Sequence, residues 1–255
     1  MTFREHLLEF NRRGLIHAPD EPEESFFLRC HQSSISALSP SSPLAKRLFD
    51  IDPDWVWMTF DNKGLHFWEG GCTWVKRDHI TLQLNKAFQK KPSYFGYSRE
   101  EVIAHELVHV ARSNFEEPIF EEILAYQTSS SSFRRFCAPL FRTAKESLFF
   151  MITLAAFFAA AFFDIFQKTV IAGVLCLVTG GSLRLFWAQR TFSRTQKKLS
   201  KIVKKEHVLA VMLRLTDREI IRFSKMCTDE ITVYATKMTK IQLRWQQIHA
   251  AYFCR

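Results

Sequence analysis

Ser98–Thr128 reads SREEVIAHELVHVARSNFEEPIFEEILAYQT and contains His105-Glu106-Leu107-Val108-His109. Four residues of α-helix rise ~6 Å and return nearly to the same face. Two imidazoles so placed can grip one Zn²⁺, with Glu106 beside the metal, where a bound water would sit. The flanks predict the helix that this spacing requires. Ser98 with Glu101 is a capping box, and Ile103, Leu107, Val110 and Ala111 recur at helical spacing. Asn114 ends the run. Pro118 suits the first turn of a second helix, with Glu116 and Glu117 near its positive end. That helix carries Glu121 and Glu122 and offers a third ligand.

The pattern resembles the gluzincin metallopeptidases, in which HExxH is completed by a Glu on a following helix. Their third ligand lies in an E-x-x-A context, which Glu122-Ile123-Leu124-Ala125 matches and Glu121 does not. The metzincin pattern fails, because Arg112 and Phe115 stand where Gly and the third His belong. Twelve residues separate His109 from Glu122, a compactness similar to the minimal, proabylysin-like gluzincins. The Asp that often follows the family's Ala is Tyr126 here, so support for a ligand His must come from elsewhere. The resemblance implies one Zn²⁺ held by His105, His109 and Glu122, with Glu106 as general base toward a peptide substrate. It also implies a Tyr or His that stabilises the oxyanion; Tyr94, Tyr97, Tyr126 and the C-terminal half all hold candidates.

The implied fold class is α+β: a zincin-like domain over residues 1–132, with a small antiparallel sheet ahead of the active-site helix. Thr2 with Glu5, and Asp20 with Glu23, predict two capped helices before it, and Pro43 opens a third through Phe49. Trp55–Phe60, Leu65–Trp68, Thr73–Val75 and Ile80–Leu84 read as strands, with turns at Asp61–Gly64 and Gly70-Gly71. The strict alternation of Ile80–Leu84 predicts one buried face and one exposed, in a last strand whose free edge can pair with an extended peptide. His66 and His79 read as structural or solvent-facing rather than as ligands.

Two apolar blocks follow. Leu148–Phe163 runs sixteen residues without a charge, and Val170–Leu183 follows after Asp164, Gln167, Lys168 and Thr169. Extended to Phe166 across Asp164 and to Trp187 across Arg184, each approaches the ~20 residues a bilayer helix needs. A transmembrane hairpin over 147–188 is therefore expected, a hairpin buried in a core being the alternative. Arg134, Arg135, Arg142 and Lys145 precede it and Arg184, Arg190, Arg194, Lys197 and Lys198 follow, which places both ends and the catalytic domain on the cytoplasmic side.

The formal charge of +9 is concentrated in residues 189–255, which hold 15 of 35 Lys/Arg and 5 of 26 Asp/Glu. That basic helical region could contact anionic lipid headgroups; nucleic acid fits less well, because the densest run, Lys197–Lys205, lies just after the hairpin. Its apolar residues, among them Val211, Leu213, Ile220 and Phe223, call for packing against the first half, and His249, Tyr252 and Cys254 are candidates to approach the metal. Six scattered cysteines with no C-x-x-C pair favour free thiols, and the charged start Met1–Phe10 does not read as a signal peptide. The sequence thus predicts a membrane-anchored zinc metallopeptidase. The alternative is a non-catalytic, membrane-attached interaction protein with a structural or vestigial zinc site.

Overall fold

Helix α1 (Phe3–Arg12) starts on the capping box of Thr2 and Glu5, each side chain taking the other's backbone N–H. It is seen in a computed structural model that describes residues 2–33, 35–36, 38–76, 79–140, 144–162 and 167–253. Helix α2 (Glu23–Gln32) begins from Pro22 and not from an Asp20 cap. Helix α3 (Pro43–Phe49) has Pro43 in its first turn, and its Ser42 cap accepts from Ala45 N.

The sheet differs from the expected antiparallel meander. Strands β1 (Trp57–Phe60), β2 (Gly71–Val75) and β3 (Ile80–Leu84) lie in the order β1-β3-β2, with β1 parallel and β2 antiparallel to β3. Leu65–Trp68 is taken up in turns. β3 is the central strand and all five of its residues are buried. Its polar face is covered because Gln83 finds partners there: its amide donates to the Asp61 and Lys63 carbonyls, and its oxygen accepts from Trp74 Nε1. Buried polar groups so satisfied are tolerated. β2 is an edge of this sheet.

Helix α4 (Ala87–Lys90) and the two-residue strands β4 (Ser93–Tyr94) and β5 (Tyr97–Ser98) lead to α5 (Arg99–Arg112) and α6 (Pro118–Ala125). Then come α7 (Ser132–Cys137), α8 (Ala144–Phe162), α9 (Gln167–Leu199), α10 (Val208–Arg214), α11 (Asp217–Phe223), α12 (Thr228–Thr239), α13 (Leu243–Ile248) and a π-turn, His249–Phe253. Helix takes 63% of the described residues and strand 8%. The α+β expectation therefore gives way to a mainly helical fold with a small sheet.

The transmembrane hairpin, and with it the two-span, cytoplasm-facing placement, is also corrected. Among the described residues no helix is long and apolar enough to cross a membrane. In α8 the residues after Lys145-Glu146 and Ser147 leave a run of fifteen, Leu148–Phe162, and 163–166 lie outside the described residues. In α9 the run Val170–Leu183 is fourteen long, breaks its apolar character at Thr179-Gly180-Gly181-Ser182 and ends at Arg184. Neither reaches the ~20 residues a span requires. The helices pack on each other, joined at one end by the bidentate Arg184–Glu146 pair, with Leu148, Phe149, Ile152 and Leu175 exposed.

The C-terminal helices share one hydrophobic core with the first half of the chain: Val211, Met212, Leu213, Ile220, Phe223 and Trp245 are fully buried beside Leu7, Phe26, Leu107 and Phe120. Polar ties cross the same interface. Arg214, fully buried, donates to Asn11, Phe49 O and Asp50 O, and Gln247 bridges Leu15 O and His17 N. Cys30, Cys72, Cys137, Cys176 and Cys227 are free thiols.

Candidate metal centre

Helix α5 is fixed before any ligand is considered. Ser98 and Glu101 form its capping box, and Glu101 also accepts from Ser130 N and pairs with Arg134. Glu100 takes Ser42 Oγ and Leu44 N, tying the helix to α3. Ala104, Leu107 and Val108 have no exposed surface, and Val110 has almost none. The opposite face is left to His105 and His109.

Their Nε2 atoms stand 3.3 Å apart. Glu122 of α6 closes the group, with Oε2 3.8 Å from His105 Nε2 and Oε1 3.6 Å from His109 Nε2. The three side chains keep 19–23% of their surface exposed, so the group is reachable from solvent. Among the described residues this is the one cluster of His, Cys, Asp and Glu donors able to hold a metal. Two nitrogens bound to one tetrahedral zinc at 2.0–2.1 Å lie about 3.3 Å apart. The donor set, two imidazoles and a carboxylate with a fourth position open, also suits zinc.

Glu121 supplies the support that Tyr126 cannot. His109 Nδ1 donates to Glu121 Oε1 across 2.7 Å, so that once Nε2 loses its proton its lone pair faces the site. The adjacent acids thus divide the work: Glu122 faces the Nε2 side of the histidines and Glu121 the Nδ1 side of His109. The register of α6 is set from a distance, because Asp217 accepts from Ile119 N and Phe120 N at its start.

Charge in the site is unevenly held. Burial, then the charge of His109, pulls His105 down to about 3. Burial also opposes protonation of His109, but its Glu121 hydrogen bond and the charges of Glu122, Glu106 and Glu121 outweigh this and raise it to about 9. Burial lifts Glu122 to about 7, against the attraction of His109. One imidazole is thus neutral and the other protonated near neutral pH, so a divalent cation must displace a proton to enter.

Glu106 is buried and stands outside the donor set. Burial raises its pKa, while His109 and the Thr73 hydroxyl oppose the rise. Thr73 Oγ1, on edge strand β2, donates to Glu106 Oε2 at 2.9 Å and fixes the carboxylate. Thr73 was not among the residues that the sequence marked, since nothing in a strand residue 33 positions upstream signals this contact.

A cleft of about 250 Å³ opens on this side, lined by His105, Glu106, Tyr97, Tyr126, Trp68 and Gly71 among others. Of the phenols, Tyr126 lies edge-on to His105 with centroids 4.7 Å apart. Burial, the Glu122 charge and the neighbouring Tyr97 phenol raise its pKa. Tyr94 turns away and donates to Phe67 O. His66 stacks on Trp68 and His79 packs at a tilt against Trp57, neither in the donor group. Tyr252 is buried against Asn11 and Asp50, and His249 stacks on Phe253, so neither joins this group; Cys254 lies outside the described residues.

No family model matches the chain, and neither does any curated protein or solved structure.

Proposed function

We propose that this chain is a zinc-dependent metallopeptidase of the gluzincin type, with His105, His109 and Glu122 as metal ligands. The observation that carries the reading is the pairing of a three-donor cluster with a separate buried carboxylate on its cleft side. A zinc site that serves structure alone is usually closed by four protein ligands, often cysteines; here the fourth side opens on a cleft. When bound, zinc would polarise the substrate carbonyl and acidify a water.

The chain's own residues do the rest. Glu106, held by Thr73 and with its pKa raised by burial, accepts the proton of the attacking water and returns it to the leaving amine. Tyr126 and Tyr97 are the phenols in the cleft and can donate to the oxygen that gains charge. The β2 edge offers unpaired backbone groups to an extended peptide, so the substrate would lie across Thr73 and Glu106.

Glu106→Gln tests the reading. It preserves size but cannot take the proton, so peptide cleavage should fall by about 10²–10⁴-fold. Zinc content by elemental analysis should stay at the wild-type level. Cleavage that survives the substitution rules out this chemistry.

A further inference from the structure

Arg112, in the last turn of α5, has no exposed side-chain surface. Its Nη1 donates to the carbonyls of Leu213 at 2.8 Å and Leu215 at 2.9 Å, just over a hundred residues away. Nε and Nη2 have no hydrogen-bond partner. A buried cation with two donors unmade is costly and calls for an explanation. The groups these donors face supply it. Nε lies 3.8 Å from Glu121 Oε2, and Nη2 lies 4.0 Å from Asp217 Oδ1.

Both carboxylates act on the metal centre from outside it. Glu121 has its other oxygen on His109 Nδ1, and Asp217 holds the first turn of the helix that bears Glu121 and Glu122. The guanidinium attracts Glu121 Oε2 without hydrogen-bonding to it. Arg112 is fully buried but Glu121 keeps 22% of its side chain exposed, so the attraction is partly screened, and it is less directional than a hydrogen bond. It draws Oε2 toward Arg112 while Oε1 stays on His109 Nδ1.

We propose that Arg112 is a positioning residue of the metal centre. Anchored by the 213–215 backbone, it orients Glu121, and Glu121 holds the His109 ring with Nε2 toward the metal. The C-terminal half of the chain is thereby part of the metal-binding apparatus and not only its neighbour. The inference rests on the zinc reading above and adds a residue to it.

The test is a double-mutant cycle on the full chain with Arg112→Lys, Glu121→Gln and the pair, titrated with zinc alone against a chromogenic chelator. A lysine ammonium cannot hold both carbonyls and face Glu121 at once. Arg112→Lys should weaken zinc binding about 10–100-fold, as loss of outer-shell support does. It should also shift the visible absorption bands of the Co²⁺-loaded protein. In the Glu121→Gln background the same substitution should add nothing, because its effect runs through that carboxylate. A merely structural arginine would lower Tm and leave the zinc Kd and Co²⁺ spectrum of the folded protein unchanged; that result overturns the proposal, as does additivity in the cycle. If Arg112→Lys does not fold, Arg112→Gln is read the same way, since it keeps a donor for the carbonyls but loses the charge. A wild type that binds no zinc sinks both readings, whereas a zinc-binding wild type with a silent Arg112 sinks this one alone.

Discussion

In the α5–α6 pair, Glu101, Glu106 and Arg112 are buried, and in the α8–α9 pair Leu148, Phe149, Ile152 and Leu175 are exposed. Composition alone would have assigned the two pairs the other way round. What separates them is the supply of partners. Every buried charge of α5 meets groups from elsewhere in the chain: Ser130 and Arg134 for Glu101, Thr73 for Glu106, and the 213 and 215 carbonyls for Arg112. Among the described residues α8 meets mainly α9, and much of the apolar surface of the pair stays exposed. Burial here follows tertiary contact, and hydropathy is only a prior for it.

Three substitutions or conditions sharpen that contrast. Leu107, with no exposed surface, belongs to the core that both halves of the chain share. Leu107→Ala should cost about 2–5 kcal/mol in denaturant unfolding through transfer and cavity terms. A loss below about 1 kcal/mol would show that the shared core is loosely packed around α5.

The next effect is on zinc binding and pH. His109, raised to about 9, keeps its proton below that value in the metal-free chain, and the proton must leave when zinc binds. Apparent zinc affinity should therefore rise by about tenfold per pH unit between about pH 7 and 9 and then level off. Affinity that is flat over this range would mean that His109 is already neutral. The smallest effect belongs to the other pair. Leu175 is 60% exposed, so Leu175→Ala should change stability by no more than about 0.5 kcal/mol. A larger loss would reveal a partner for that face.

The same contrast governs what could be read from residues in order. The start of α5 and the pairing of His105 with His109 follow from local rules, a capping box and a four-residue spacing; the choice of Glu122 comes from the E-x-x-A resemblance, because the register of α6 is set from a distance by Asp217. Glu121 as the support of His109 was one residue from the reading, hidden because E-x-x-A pointed to Glu122 and made Glu121 look spare. Thr73 and Arg112 could not be read, since their roles depend on contacts 33 and about a hundred positions away. β3 was misplaced for a related reason. Alternation predicts an exposed face, but Gln83 supplied the polar contacts that let the 61–63 turn and Trp74 cover it. The apolar blocks misled because each approaches bilayer length only when extended across a charge, Asp164 or Arg184.

The central claim is a metal held by two histidines and Glu122, and elemental analysis of the purified full chain tests it most directly. Wild type should carry one zinc per chain. Glu122→Gln should carry little or none, while Glu121→Gln, which removes only support for His109, should bind zinc about 10–100-fold more weakly than wild type but still load when zinc is in excess. Zinc absent from wild type, or retained in full by Glu122→Gln and lost from Glu121→Gln, would contradict the site as built.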